Sequence, residues 1–286
     1  MATCCAGYLS GNSVKRLLFF LAAALIFPAA VRAEDPAEFL HDLCKSDEAA
    51  VGQIQESEDW GIKPYKRNYL LLYQGGTPNA VDGMYDYVKY QLSIKQHLCK
   101  NMFFGYTQKS FWSVTAPSLP FRETNYNPEF YLDYTDHGDG IWRWGKVGLF
   151  EHESNGRDGP ESRSWNRIYW EPRMVIDDPA KLPLNFSTLV VALKWWYSFG
   201  SSENADIRDY QGNNELSITM NQHWVQWALI VRKGRIWEYG NVQLDVNYHF
   251  LANMDLFFQV WDGYGESLID YNHSSTRYGF GIAISR

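Results

Sequence analysis

From about residue 64 to its C-terminus the chain alternates polar and apolar residues in short runs rich in Tyr, Phe, Trp and Val. Clusters of Gly, Asn, Asp and Pro separate the runs. Period-two alternation bounded by turn residues predicts β-strands. The runs fall near 64–74, 85–97, 102–113, 121–135, 142–154, 164–176, 185–199, 207–221, 223–233, 238–250, 253–264 and 276–285. Tyr278, Phe280, Ile282 and Ile284 share one face of the last run, opposite Gly279, Gly281, Ala283 and Ser285. Ile168 and Trp170 likewise oppose Arg167, Tyr169, Glu171 and Arg173. About twelve such strands, in one set without a linker, predict an all-β chain: a twelve-stranded antiparallel transmembrane β-barrel, polar inside and apolar outside. A soluble β-sandwich would bury its apolar face instead, and alternation alone fits both.

The N-terminus bears on that choice. Lys15 and Arg16 precede an apolar run from Leu17 to Ala30, and Val31-Arg32-Ala33 offers small residues at both specificity positions of a cleavage site. Residues 1–33 therefore read as a secretory signal peptide cut before Glu34. The apolar run is short for an anchor helix. Cys4 and Cys5 precede it, so no lipoprotein reading fits. Residues 34–63 read as an acidic periplasmic segment in which Ala37–Leu40 and Leu43 can start a short amphipathic helix. Residues 64–286 form the barrel domain. Export combined with the strand number favours a barrel in the outer membrane over a sandwich. One feature departs from common barrels, which often end on an aromatic residue: this chain ends Ile284-Ser285-Arg286.

Composition supports the reading. Aromatic residues make up 16% of the chain, with 12 Trp and 19 Tyr, as aromatic girdles require. A carbohydrate-binding sandwich would show the same excess. Mean hydropathy is −0.38, too polar for a helical membrane protein. Removing Lys15, Arg16 and Arg32 from 26 basic residues leaves 23 against 33 acidic ones, a charge of −10. That balance argues against nucleic acid as a partner. Cys44 and Cys99 remain after cleavage, and an exported chain permits either a disulfide or two free thiols.

The segment with most chemistry is His152-Glu153-Ser154-Asn155-Gly156-Arg157, followed by Ser162-Arg163-Ser164-Trp165-Asn166-Arg167. His152 and Ser154 stand two apart and share one face of a strand. Asp158-Gly159-Pro160 turns the chain, returning Asn166 alongside. A base and a nucleophile on one strand, with an orienting amide on the next, is what acyl transfer needs. Phe150 and Gly148 lie on the side of His152, and Ile168 and Trp170 on the side of Asn166. The three groups thus project from the apolar outer wall, where a hydrolase would meet lipid. His-x-Ser pairs also arise by chance, and Ser-Asn-Gly-Arg is ordinary turn composition.

These two runs resemble the active-site segment of the outer membrane phospholipase A family. Further matches follow in consistent order: Gly105-Tyr106-Thr107-Gln108-Lys109-Ser110, Pro120-Phe121-Arg122-Glu123-Thr124-Asn125-Tyr126 and Gly263-Tyr264-Gly265-Glu266-Ser267-Leu268-Ile269-Asp270-Tyr271-Asn272. The resemblance implies a twelve-stranded barrel that hydrolyses phospholipid acyl esters as a calcium-activated homodimer. It implies Ser154 as nucleophile, His152 as base, Asn166 as orienting residue and the Gly156 amide as oxyanion donor. For Ca2+ it implies the Arg157 carbonyl, the Ser162 side chain, a serine of the second barrel matched best by Ser118, and an acidic ligand matched by Glu203. Gly159 stands where the resemblance leads one to expect an aspartate. Gln108 shares a face with Phe104, Tyr106 and Trp112, and the resemblance places it between two barrels; a strand phase shifted by one would turn it inward instead.

Glu151 and Glu153 are expected to point into the lumen, where Arg167 or Arg173 can pair with them. Trp195 and Trp196 read as wall residues, and Arg232-Lys233-Gly234-Arg235 as a solvated turn. The remaining histidines have no ligand-like spacing. Against the phospholipase stand two other readings, a non-catalytic channel or structural porin and a soluble carbohydrate-binding sandwich.

Overall fold

The computed structural model describes residues 61–77, 87–114 and 116–284, all within one compact unit, Glu56–Arg286. A two-residue strand, β1 (Lys63–Pro64), is followed by β2 (Tyr69–Gly76), β3 (Tyr87–Cys99), β4 (Met102–Trp112), β5 (Phe121–Tyr134), β6 (Trp142–Ser154) and β7 (Ser164–Ile176). Next come β8 (Thr188–Phe199), the short helix α1 (Ile207–Gln211), β9 (Asn214–Gln222), β10 (Val225–Lys233), β11 (Gly240–Leu251), β12 (Met254–Tyr264) and β13 (Ser274–Ile284). From β2 to β13 each strand pairs antiparallel with its chain neighbours, and β13 returns to β2. The twelve strands close a barrel, which removes every exposed edge of the cylinder. β1 pairs with β3 beyond the end of β2. The expected first strand is thus split at residues 65–68.

Burial inverts the usual order. Lys89, Glu129, Glu151, Arg167, Asp255 and Arg277 are buried, whereas Leu92, Phe130, Trp170, Trp195, Leu256 and Phe280 are exposed. A soluble sandwich would do the reverse, so the apolar wall is built to face lipid. The last strand shows the alternation as expected, with Tyr278, Phe280 and Ile284 exposed and Gly279, Gly281 and Ala283 buried. The lumen is packed by aromatic and charged side chains. Tyr65, Tyr131, Trp165, Tyr169 and Trp196 belong to one buried cluster, around a cavity of about 480 Å³ that Lys109, Glu151, Arg167 and Glu215 help to line.

Several sequence expectations change. Residues 207–211 are helical where a strand was expected. Ile207 is wholly buried in the aromatic cluster, and Gly212 at a φ of +63° ends the helix. Gly148 faces inward: the β5–β6 register shifts between Phe150 and Gly148, and a Cβ on Gly148 would strike the buried Tyr169 ring. Leu149 is the extra residue of that bulge, and a bulge reverses the alternation behind it. Arg232 is no turn residue, since it sits at the end of β10 and pairs with Glu215 at 2.6 Å. Trp195 is on the outer wall, but Trp196 is buried. Cys99 is disulfide-bonded; Cys44 lies outside the described residues.

An even strand number puts both ends of the barrel chain at one rim. Connections at that rim, such as 100–101, 223–224 and 252–253, are mostly short. At the opposite rim lie 113–120, 155–163, 200–213 and 265–273, the pattern of extracellular loops. There the 265–273 segment folds against the start of β5. Arg122 holds Asp270 through both guanidinium nitrogens, at 2.7 and 2.9 Å. The Glu123 and Asn125 side chains accept the Ile269 and Leu268 amides. Tyr271 reaches across to Asp206, donating its hydroxyl at 2.6 Å. Burial and that carboxylate push the Tyr271 phenol above its ordinary range, so it stays a donor. These contacts explain why two of the separated sequence blocks, 120–126 and 263–272, belong together.

Candidate active site

Ser154 ends β6 at the extracellular rim, and the 155–163 connection carries the chain to Ser164 at the start of β7. The β6–β7 ladder pairs His152 with Asn166 and Ser154 with Ser164. Direct cross-strand neighbours lie close enough for short side chains to meet. His152 Nδ1 lies 2.8 Å from Asn166 Oδ1. Ser154 shares the face of His152, and among the described residues its hydroxyl has no hydrogen-bond partner. The second ring nitrogen of His152, Nε2, is also uncommitted. On the lateral side, Ser154 pairs with the exposed Tyr126 of β5. All three side chains are half-buried on the outer wall.

The backbone beneath the site is held from both sides. In the β5–β6 register Pro128 falls opposite His152 and has no N–H to donate. Asn127 Nδ2 takes its place, donating to the His152 carbonyl at 2.7 Å. Inside the barrel, Glu151 and Glu153 flank the histidine and point inward, as expected. Arg167 bridges them at 2.9 and 2.8 Å, and Lys194 adds a contact to Glu151 at 2.9 Å. Arg173 pairs with Glu171 instead. The histidine is therefore pinned between a polar interior and an apolar exterior.

Asn166 has its own support. Its Nδ2 points at the Phe199 carbonyl, 3.5 Å away, which orients Oδ1 toward the imidazole. Gly200 lies just beyond at a φ of +63°, and a Cβ there would come within 2.5 Å of Asn166 Nδ2. Glycine is needed at this position for both conformation and space. The sequence reading missed Gly200, because a glycine after a strand signals only a turn.

The 155–163 connection presents backbone groups. Gly156 has a φ of +64°, and a Cβ would sit 2.9 Å from the Tyr126 ring. The Asn155 amide donates to the Arg163 carbonyl and the Arg157 amide to Asn155 Oδ1. The Gly156 N–H between them has no acceptor among the described residues. Arg157 pairs with Glu161 and donates to the Arg122 carbonyl. The Ser162 amide is bonded to the Gly159 carbonyl at 3.1 Å. Glu203 is exposed and accepts the Ser164 hydroxyl at 2.6 Å, so its carboxylate stands beside the register partner of Ser154. Ser118 is exposed in the adjacent 113–120 connection at a φ of +66°.

Gln108 lies on the outer wall, so the strand phase is not shifted. Tyr106 Oη donates to its Oε1 at 3.0 Å, and its Nε2 donates to Ser110 Oγ at 3.3 Å.

The geometry agrees with the comparisons with known proteins. The family model for phospholipase A1 matches residues 46–284. A phospholipase A1 of Klebsiella pneumoniae is 33% identical, covering 93% of this chain and 96% of its own. One from Escherichia coli K12 is 32% identical, covering 95% and 99%. The outer membrane phospholipase A structure from Escherichia coli superposes with a TM-score of 0.69 at 32% identity, covering 78% of this chain and 94% of that one. A Salmonella typhi outer membrane phospholipase, a dimer with bound calcium, gives 0.70 at 30% identity, covering 81% and 94%. With this barrel, this apolar wall and relatives matched over nearly their whole length, the chain belongs to the phospholipase A1 family and is an outer-membrane phospholipase.

Proposed function

We propose that this phospholipase hydrolyses both sn-1 and sn-2 acyl esters of glycerophospholipids, and lysophospholipids as well, by a Ser-His-Asn mechanism as a calcium-dependent dimer. The observation that carries the reading is the 2.8 Å bond between His152 and Asn166 with Ser154 on the same outward face. His152 Nε2 takes the proton of Ser154 Oγ as that oxygen attacks the ester carbonyl. The Gly156 N–H donates to the oxyanion. Collapse expels the lipid alcohol, protonated by His152, and leaves an acyl-serine. Water, deprotonated by the same imidazole, then releases the fatty acid and restores Ser154. Asn166 holds Nδ1 protonated so that Nε2 remains the acceptor.

A neutral amide stabilises the imidazolium less than a carboxylate does, so added positive charge at the site has value. The Arg157 carbonyl, the Ser162 hydroxyl, the Glu203 carboxylate and the Ser118 hydroxyl of a second copy would hold Ca2+. These are hard oxygen donors, as calcium favours. Among the described residues no three His, Cys, Asp or Glu side chains cluster, so a site here depends on carbonyl and hydroxyl oxygens beside the single Glu203 carboxylate. Bound there, calcium would add its charge to the oxyanion's surroundings. The Salmonella typhi relative, a dimer with bound calcium, supports both cation and pairing.

Gln108 is proposed to join the two copies. An amide on a lipid-facing wall is costly without partners, and a second barrel would supply further ones. Residues 1–33 as signal peptide and 34–63 as a periplasmic lead-in to the barrel at 64–286 complete the reading; residues 1–60 lie outside the described ones.

The test is hydrolysis of phosphatidylethanolamine in detergent micelles. Wild-type protein should release fatty acid, and both S154A and calcium chelation should abolish release while the barrel stays folded. Full activity in S154A would remove the nucleophile, and indifference to chelation would remove the cation.

A further inference from the structure

The structure contains a group at the active site that the mechanism above leaves unused. Asn155 lies between the nucleophile and Gly156, yet its side chain does not face lipid or solvent. It is 4% exposed. Its Oδ1 accepts the Arg163 amide at 3.0 Å and the Arg157 amide at 3.3 Å. Its Nδ2 donates to the Glu161 carbonyl at 2.8 Å. Its own backbone N–H donates to the Arg163 carbonyl at 3.1 Å. One carboxamide therefore ties together three positions of a single connection.

We propose that Asn155 is the positioning residue of this site, fixing the backbone that carries the Gly156 N–H, the Arg157 carbonyl and the Ser162 hydroxyl. The proposal rests on the reading of Ser154 as nucleophile. Its logic is local. The bond from Oδ1 to the amide two residues on is an Asx-turn, and it encloses Gly156, whose φ of +64° favours glycine. The bonds to Glu161 and Arg163 then draw the far side of the connection against the near side. Preorganised donors act only if they are already in place when charge develops. A connection freed of Asn155 must be ordered anew for each turnover, and its oxygen ligands no longer come pre-set for a cation.

Aspartate separates the functions of this amide. It keeps both accepted bonds but replaces the donor to Glu161 with an oxygen that faces that carbonyl, whereas alanine loses all three bonds. Full-length protein in detergent is assayed as wild type, N155A and N155D, with folding read from the heat-modifiable electrophoretic mobility of intact barrels. N155A should lower kcat by about 10²-fold, the scale of a lost oxyanion donor, with KM within about twofold. N155D should recover kcat in part, above the level of N155A. Calorimetric calcium titration of S154A and S154A/N155A measures the cation independently of turnover, and the second should bind about tenfold more weakly.

Unchanged kcat and calcium binding in folded N155A would overturn the proposal. So would a loss confined to KM, or equal impairment of N155A and N155D. If N155A does not fold, N155D decides: a folded barrel with partly lowered kcat supports the positioning role, and failure to fold assigns Asn155 to barrel stability alone. Activity surviving in S154A would instead strike the nucleophile reading, with the calcium titration still judging Asn155.

Discussion

His152 and Asn166 are direct Cα partners across the β6–β7 ladder, and their side chains meet at 2.8 Å on the outer wall. A ladder pair holds its members at a fixed separation without help from loops. The orienting contact is thereby set by strand register, while the nucleophile sits one step further, at the rim. N166A should accordingly leave the barrel intact and lower kcat by up to about 10²-fold, the scale of positioned acid–base catalysis. KM should change little. Steady-state kinetics on detergent-dispersed phospholipid separate the two quantities.

The Asn166 amide is itself aimed by the Phe199 carbonyl and by the space left at Gly200. G200A places a methyl group against Nδ2 and strains a positive φ, so it should turn the amide and impair kcat to nearly the level of N166A. The double variant G200A/N166A should be no worse than N166A alone, because residues acting through one contact are not additive. Additive losses in the same assay would separate Gly200 from the imidazole.

The outer wall gives a prediction about folding. Phe280 is 58% exposed at the middle of β13, between Phe258 and Tyr73 in register. F280R should destabilise insertion into phospholipid vesicles by about 2–4 kcal/mol, as for a cation at the bilayer midplane. On a water-facing surface the same change would be near neutral. Equilibrium unfolding from vesicles in urea measures the difference.

Inside, Arg167 is 2% exposed and bridges Glu151 and Glu153 behind the active site. R167A leaves buried carboxylates short of a counter-charge, and it should cost about 3–5 kcal/mol of barrel stability. The same unfolding experiment reads it. Activity should fall as well, since those glutamates are the chain neighbours of His152. A stability change below about 0.5 kcal/mol would show that Lys194 at Glu151 and the Trp165 N–H at Glu153 satisfy the carboxylates without it.

The parts of this molecule that follow from period two were legible in the sequence. Strands such as 142–154 and 164–176 agree with β6 and β7 to the residue, because alternation and turn residues both mark their ends. Three features escaped that logic. The Leu149 bulge reversed the face of Gly148, since one inserted residue changes parity without any compositional sign. Residues 207–211 precede an alternating run, but Ile207 and Tyr210 stand three apart, and packing of both against the lumen cluster makes them helical. Trp196 is as aromatic as Trp195 and differs only in facing inward. At the site, the pairing of His152 with Asn166 and the place of Ser154 beside them follow from spacing on two strands joined by a turn; their proposed catalytic roles rest on the family resemblance. Asn155 and Gly200 were not legible, because their roles lie in backbone bonds and in empty space that composition does not record.

The central claim is that Ser154 is the nucleophile on the lipid-facing wall. The most direct measurement is covalent: the full-length protein in detergent with calcium is treated with a long-chain alkyl sulfonyl fluoride, digested and mapped by mass spectrometry. The account predicts one adduct, on Ser154, formed in step with loss of hydrolysis and suppressed in H152A. An adduct on another serine that inactivates the enzyme, with Ser154 unmodified, would contradict it.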